Sequence, residues 1–269
     1  MQTGFTLLEL LIVITIIGIL ASITIVSYPS ILAKAKLANA LKFSDNVRGS
    51  LQPDMVAWWK FDEGLGTIAK DTWWNGLDGT IYGATWDEGI KGKALSFDGS
   101  TGYISVPDNN FLNPTFITIT AWVYPTAYQY YANVVTKRYP AQYILRFYSY
   151  EGRIQGYVYA GGAWRACTTA TNFVAPLNQW SYLVFTYDDK KGGEVYVNGK
   201  LGCSFNYAGT ISTGNSTVRI GSYYTGATAS ERFKGMIDDV QIYSAALPLT
   251  MIQQLYAEGL KTHQNLAVK

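Results

Sequence analysis

Gly4-Phe5-Thr6-Leu7-Leu8-Glu9-Leu10-Leu11-Ile12-Val13-Ile14-Thr15-Ile16-Ile17-Gly18-Ile19-Leu20 decides how the rest of the chain is organised. Across residues 5–26 the one charge is Glu9, and an apolar helix of roughly 20 residues, rising ~1.5 Å per residue, is long enough to cross a bilayer. A carboxylate inside such a span is costly unless it is paired, so Glu9 implies a specific partner. Beyond residue 26 the helical pattern continues with an interruption at Pro29. Ala33, Leu37, Ala40, Ser44, Val47 and Leu51 recur at spacings of three and four, beside Lys34, Lys36, Lys42 and Arg48, which makes residues 27–52 amphipathic. Pro53 ends the pattern. A single helix of roughly 45 residues would be about 68 Å long.

The chain has 269 residues, enough for this segment and a further domain of about 200 residues. A formal charge of +2, with no basic run, argues against nucleic acid as a partner. The 21 Tyr, 8 Trp and 26 Gly suit a turn-rich β protein with polar aromatic residues on its sheets. Cys167 and Cys203 both lie after the apolar segment, in a part that export would place in an oxidising compartment. Their spacing leaves open whether they form a disulfide or stay as two buried thiols.

From residue 55 the period changes to two. In Ile117-Thr118-Ile119-Thr120-Ala121-Trp122-Val123, the odd-numbered residues share one face, and Thr118, Thr120 and Trp122 the other, which predicts a half-buried strand. Further strands are expected at 55–61, 94–98, 103–106, 143–148, 154–159, 180–187, 218–221 and 233–243. Asn198-Gly199, between two short apolar runs, predicts a hairpin. Pro248 opens and Gly259 closes a short helical segment. The expected fold class is α+β: a long N-terminal helix, an all-β sandwich and a short C-terminal helix.

The N-terminal stretch, with its Gly4-Phe5 junction four residues before Glu9, resembles the bacterial type IV pilins and the related pseudopilins of secretion systems. The resemblance implies that prepilin peptidase cuts after Gly4, that Phe5 becomes the N-methylated end, and that Glu9 meets the terminal amine of a neighbouring subunit during assembly. Gly18 matches a helix-interior glycine of that family. Pro29 lies a few residues later than the family proline, and the leader Met1-Gln2-Thr3-Gly4 is short and lacks Lys or Arg.

A second resemblance spans residues 55–257. Ala57-Trp58-Trp59-Lys60-Phe61-Asp62-Glu63-Gly64, Gly92-Lys93-Ala94-Leu95-Ser96-Phe97-Asp98-Gly99, Tyr103-Ile104-Ser105-Val106-Pro107, Val195-Tyr196-Val197-Asn198-Gly199 and Phe233-Lys234-Gly235-Met236-Ile237-Asp238-Asp239-Val240-Gln241-Ile242-Tyr243 look like the laminin-G-like, concanavalin A-like jelly rolls. That fold carries glycan-binding modules, adhesion domains and enzymes alike. It often holds a structural Ca²⁺ where the loop after its first strand meets the last long strand. Asp71, Asn75 and Asp238 occupy the matching positions here, with Asp78 and Asp239 nearby. Calcium takes six to eight oxygens; the alternative is that Asp71 and Asn75 only shape a turn and that backbone donors satisfy Asp238.

Tyr128, Tyr130, Tyr131, Tyr139, Tyr143, Tyr148, Tyr150, Tyr157, Tyr159 and Trp164 crowd one part of the chain. Aromatic faces stack on sugar rings, although strands are enriched in Tyr for other reasons too. Catalysis is not expected. His263 is the only histidine and lies in a polar tail, and the Glu-x-Asp-x-x-Glu strand of the related glucanases is absent. The carboxylate pairs Asp62-Glu63, Asp87-Glu88, Asp188-Asp189 and Asp238-Asp239 are adjacent residues, which a strand points to opposite faces.

These observations divide the chain into a residual leader (1–4), a pilin-type helix (5–54, membrane-spanning over 5–26 and amphipathic over 27–52), a jelly roll (55–257) and a C-terminal tail (258–269). The expected protein is a type IV pilin-like filament subunit, held in the cytoplasmic membrane before assembly and extracellular afterwards. Its expected partners are copies of itself, prepilin peptidase, the pilus assembly machinery and a glycan or other surface ligand, with adhesion as its task. The alternatives are a pseudopilin of a type II secretion-like system and a membrane-tethered carbohydrate-active enzyme.

Overall fold

Alternating apolar positions after residue 54 sort into two stacked antiparallel sheets in the computed structural model. The structure describes residues 54–138, 142–223 and 231–266, together with Leu7, Leu11 and Ile12. The chain divides into two compact units, residues 1–52 and 53–269. In the first, Leu7, Leu11 and Ile12 are helical; Gly4, Phe5, Glu9, Gly18, Pro29 and the amphipathic half of the predicted helix lie outside the described residues. Among the described residues no helix is long and apolar enough to cross a membrane.

In the second unit, the first eight-stranded sheet runs β14 (Lys200–Phe205), β13 (Gly192–Val197), β12 (Ser181–Asp188), β7 (Ile117–Pro125), β16 (Lys234–Tyr243), β5 (Lys93–Asp98) and β4 (Thr85–Glu88), with β1 (Met55–Trp59) also paired to β16. The second runs β11 (Ala163–Thr168), β10 (Ile154–Ala160), β9 (Tyr143–Phe147), β8 (Asn133–Lys137), β15 (Val218–Ile220), β6 (Tyr103–Val106), β3 (Gly79–Tyr82) and β2 (Ile68–Ala69). Strands distant in sequence lie side by side, as in a jelly roll. Asn198 and Gly199, with φ of 52° and 71°, close the predicted β13–β14 hairpin. That left-handed pair suits the right-handed twist of the flanking strands.

The core lies between the sheets. Ile119, Ala121, Leu183, Phe185 and Val195 of the first face Leu145, Phe147, Ile154, Val158 and Val218 of the second, all of them buried. Each large apolar side chain taken out of water contributes roughly 1.5–3 kcal/mol. Gly156 marks the tightest approach: a Cβ there would stand 2.1 Å from Phe185, so no larger residue fits without moving a sheet. Some buried polar groups find backbone partners: the Trp59 indole N–H donates to Leu77 O at 2.7 Å and the Tyr143 hydroxyl to Leu112 O at 3.2 Å.

Two features differ from expectation. The helix Leu249–Leu266 runs past Gly259, so residues 258–266, His263 among them, are helical instead of forming a tail. Gly259 is there for space: a Cβ would meet Trp122 Cζ2 at 2.4 Å. The helix lies on the outer face of the first sheet, where Tyr256 stacks on Trp122 at 5.7 Å and Trp122 packs on Tyr182 at 5.1 Å. Consequently β7 is buried on both faces, Thr118 and Thr120 included.

At the far edges of the two sheets, Cys167 of β11 and Cys203 of β14 form a disulfide, with Cα atoms 5.9 Å apart. The bond ties one sheet to the other where each lacks a further neighbour. By loop length it is worth about 3–4 kcal/mol.

Candidate functional site

The outer face of the second sheet is built by strict alternation. In β10, Ile154, Val158 and Ala160 enter the core, which sends Gln155, Tyr157 and Tyr159 outward. In β9, Tyr143, Leu145 and Phe147 are core residues, and Arg146 points outward. Gly161 and Gly162, at φ of 57° and 76°, turn β10 into β11 and place Trp164 opposite Tyr159. Trp164 then stacks on Tyr157, ring centres 4.2 Å apart and planes 15° from parallel.

Two guanidinium groups sit among these rings. Arg146 is 7% exposed and lies 4.0 Å from the Tyr131 ring centre and 5.2 Å from that of Tyr157. Its Nε and one Nη donate to Gln155 Oε1, its cross-strand neighbour, at 2.9 and 2.7 Å. Burial pulls the Arg146 guanidinium below its ordinary value, and the charge of Arg138 acts in the same direction. Arg138 lies between Trp164 at 4.9 Å and Tyr223 at 4.5 Å. Tyr131 reaches Arg146 from a left-handed backbone, φ 58°, a conformation a bulky residue rarely adopts and that collects at functional sites. Tyr130, Tyr148 and Tyr150 continue the aromatic surface, with Tyr130 centred 4.2 Å from Tyr131 and 5.7 Å from Tyr150. The bond to Tyr131, followed by burial, pushes the Tyr130 hydroxyl up to about 12, so it stays neutral at physiological pH.

Not every predicted aromatic residue belongs here. Tyr143 is a core residue, and Tyr128 packs against the core with its hydroxyl donating to Ala175 O at 2.8 Å. Tyr139 lies outside the described residues. Sequence reading passed over Arg138 and Arg146, although a lone Arg at an alternate position of the apolar strand Tyr143–Phe147 was the available signal.

The predicted cation ligands separate. Asp71 accepts from three backbone N–H groups, those of Trp58 (3.0 Å), Trp73 (2.9 Å) and Leu77 (3.0 Å), so it shapes the turn that docks on β1. Asn75 donates to Val56 O at 2.6 Å, and Asp78 accepts from Asp71 N and Lys70 Nζ. Asp238, 1% exposed, instead faces the turn at 89–93, accepting from Ile90 N at 2.9 Å through Oδ2, while its buried Oδ1 has no hydrogen-bond partner. Asp62 accepts from Lys93 N in the same turn at 3.1 Å. Burial first, then the charges of Asp239 and Asp62, push the Asp238 carboxyl up to about 9. Asp239, at φ 50° within a bulge of β16, accepts from the Trp58 indole N–H, and burial raises its carboxyl too. Among the described residues no three His, Cys, Asp or Glu side chains surround one point. Asp238, with its unpartnered Oδ1, and Asp62 thus share the turn at 89–93, whereas Asp71 and Asn75 are committed to another.

In the other carboxylate pairs one member is engaged by a nearby lysine. Glu63 accepts from Lys70 N, Glu88 pairs with Lys93, and Asp188 lies 3.8 Å from Lys191.

Residues 98–253, which include the whole Arg146–Tyr157–Trp164 face, match the concanavalin A-like lectin/glucanases superfamily. The chain belongs to that superfamily. Residues 1–25 match the prokaryotic N-terminal methylation motif, the mark of type IV pilins. A fimbrial protein of Moraxella nonliquefaciens is 39% identical over 77 residues, which cover 29% of this chain and 47% of that protein. The chain thus spans about half the length of this relative. Among solved structures, the binding domain of Paraclostridial Mosquitocidal Protein 1 superposes with a TM-score of 0.65 at 17% identity, over 77% of this chain and 53% of that one. Domain 4 of AbnA, an extracellular arabinanase of Geobacillus stearothermophilus solved with arabinotriose, gives 0.61 at 22% identity, over 76% and 98%. At these identities the superpositions show the fold alone. The superfamily includes lectins and glucanases, so binding or catalysis must be argued from the site.

Proposed function

We propose that this protein is a type IV pilin-like filament subunit that polymerises through its N-terminal helix and displays a carbohydrate-binding domain outside the cell. One observation carries the reading: a methylation motif at residues 1–25 and a lectin-like sandwich with an open aromatic face occur in one polypeptide. The arabinotriose-bound neighbour supports a saccharide as the ligand, and the fimbrial relative favours a pilus over a secretion pseudopilus. Before assembly the apolar segment would be held in the cytoplasmic membrane. Prepilin peptidase would then free Phe5, and Glu9 would meet the amine of a neighbouring Phe5 in the filament.

Two experiments test this. Glu9→Ala is expected to leave cleavage after Gly4 intact and to abolish surface filaments; normal filaments in electron micrographs would remove the assigned role of Glu9. On a glycan array, the full-length chain is expected to bind saccharides, and Tyr157→Ala with Trp164→Ala to lose about 1–3 kcal/mol per ring by the measure of base–aromatic stacking. An array with no binder would leave a purely structural subunit.

A structural divalent cation belongs to the same reading, relocated. Asp238 and Asp62, with carbonyl oxygens of the turn between them, would hold it in place of Asp71 and Asn75, and it would supply a positive charge beside the buried Asp238. Titrating the chain with Ca²⁺ at pH 8 is expected to raise the melting temperature, and no rise would end the idea.

A further inference from the structure

We propose that the ligand of the aromatic face is an anionic saccharide, whose carboxylate or sulfate groups are held by the guanidinium groups of Arg138 and Arg146. This rests on the carbohydrate-binding reading and adds the charge of the ligand.

Four observations converge on it. Arg146 is almost wholly buried, yet the acceptor it meets is the neutral amide oxygen of Gln155, which engages its Nε and one Nη. A guanidinium has five N–H donors, so the remainder of its fork is uncommitted. Arg138 has a buried Nε with no hydrogen-bond partner. The two cations stand within each other's field, and among the described residues no carboxylate forms an ion pair with either.

A buried cation beside a second, half-exposed one with no counter-ion is unfavourable, and stacking against rings offsets only part of that cost. At Lys137 in the same domain a buried charge is answered by charge: the side chain, fully buried, pairs with Asp108 and is bonded to Asn113 Oδ1 and Gly214 O at 3.1 Å. The unanswered pair at Arg138 and Arg146 therefore marks where a ligand's negative charge belongs. Guanidinium matches planar carboxylate and sulfate oxygens through paired N–H donors. The adjoining Tyr157–Trp164 stack supplies the apolar platform that a sugar ring needs, and an isolated inorganic anion would leave that platform unused.

The test uses the detergent-solubilised full-length chain and two matched pairs of probes: oligogalacturonate against its methyl ester, and dextran sulfate against dextran. The charged member of at least one pair is expected to bind about tenfold tighter or more, and the pair that responds distinguishes carboxylate from sulfate. Arg138→Gln and Arg146→Gln should each erase this preference while binding of the neutral probe persists. Arg146→Lys, which keeps the charge but loses the fork, should restore it only in part. Arg138 is half-exposed, so its variant remains informative if Arg146→Gln fails to fold by circular dichroism. Equal binding within both pairs, or a preference that survives both glutamine variants, overturns the proposal and leaves carbohydrate binding standing. Binding to none of the four probes, with an empty glycan array, overturns both.

Discussion

The sandwich has two outer faces, both rich in aromatic residues, and they have opposite fates. On the first sheet, Trp122 and Tyr182 lie under the helix Leu249–Leu266, where Tyr256 completes the stack and Gly259 lets the backbone come close. On the second, Tyr157 and Trp164 stack with no helix above them among the described residues, beside two arginines. Aromatic content therefore does not mark a binding surface. What separates the two is the cover, together with guanidinium groups that have no acid to answer them.

The sharpest way to break this comparison is to truncate one Trp on each face. Trp122→Ala removes a ring that is 1% exposed and is expected to cost about 3–5 kcal/mol. Trp164→Ala, half-exposed, is expected to cost about 1 kcal/mol and to reduce glycan binding. Denaturant melts of both variants would check the contrast, and equal losses would show that the second face is also structural.

The disulfide comes next. Removing it with Cys167→Ala and Cys203→Ala is expected to lower stability by about 2–4 kcal/mol, and so the melting temperature by roughly 5–12 °C. Because Trp164 sits on β11 with Cys167, the same variant should weaken binding at the second face. Unchanged binding would show that β11 holds its place without the bond.

A last effect concerns the proton that Asp238, in β16 of the first sheet, retains. The folded chain holds a proton on Asp238 up to about pH 9, whereas an ordinary carboxyl at 3.8 has released it. The folded state then binds more protons than the unfolded state, so stability falls as pH rises between these two values. Asp238→Asn should flatten that slope and melt higher than the parent at pH 8 without added cation. Ca²⁺ should narrow the difference, since a cation can replace the missing proton only in the parent. Parallel pH profiles for the two proteins would discard this account of Asp238.

Much of the fold was legible in the sequence because period-two alternation is a local property. Residues 55–59, 94–98 and 103–106 were readable as strands from a few residues each, and Asn198-Gly199 announced its hairpin. The strand Ala163–Thr168 went unread because it is an edge strand whose residues are all half-buried, so it has no clean alternation to show. Of the candidate site, the tyrosine-rich stretch was visible. Its division into core residues such as Tyr143 and surface residues such as Tyr157 follows from strand register, which pairs residues distant in sequence.

By itself the sequence determined three things: an apolar segment with one acid, a methylation motif, and a β domain of jelly-roll type. The apolar segment and the β character follow from hydropathy and a period of two, read over neighbours a few positions apart; the methylation motif and the jelly-roll type came from resemblance to known families. The tertiary structure alone decided that a C-terminal helix closes one sheet face, that Asp71 and Asp238 serve different turns, and that Arg138 and Arg146 meet among aromatic rings. These are contacts between segments far apart in the chain, set by how two twisted sheets pack around a shared core, and no local pattern encodes them.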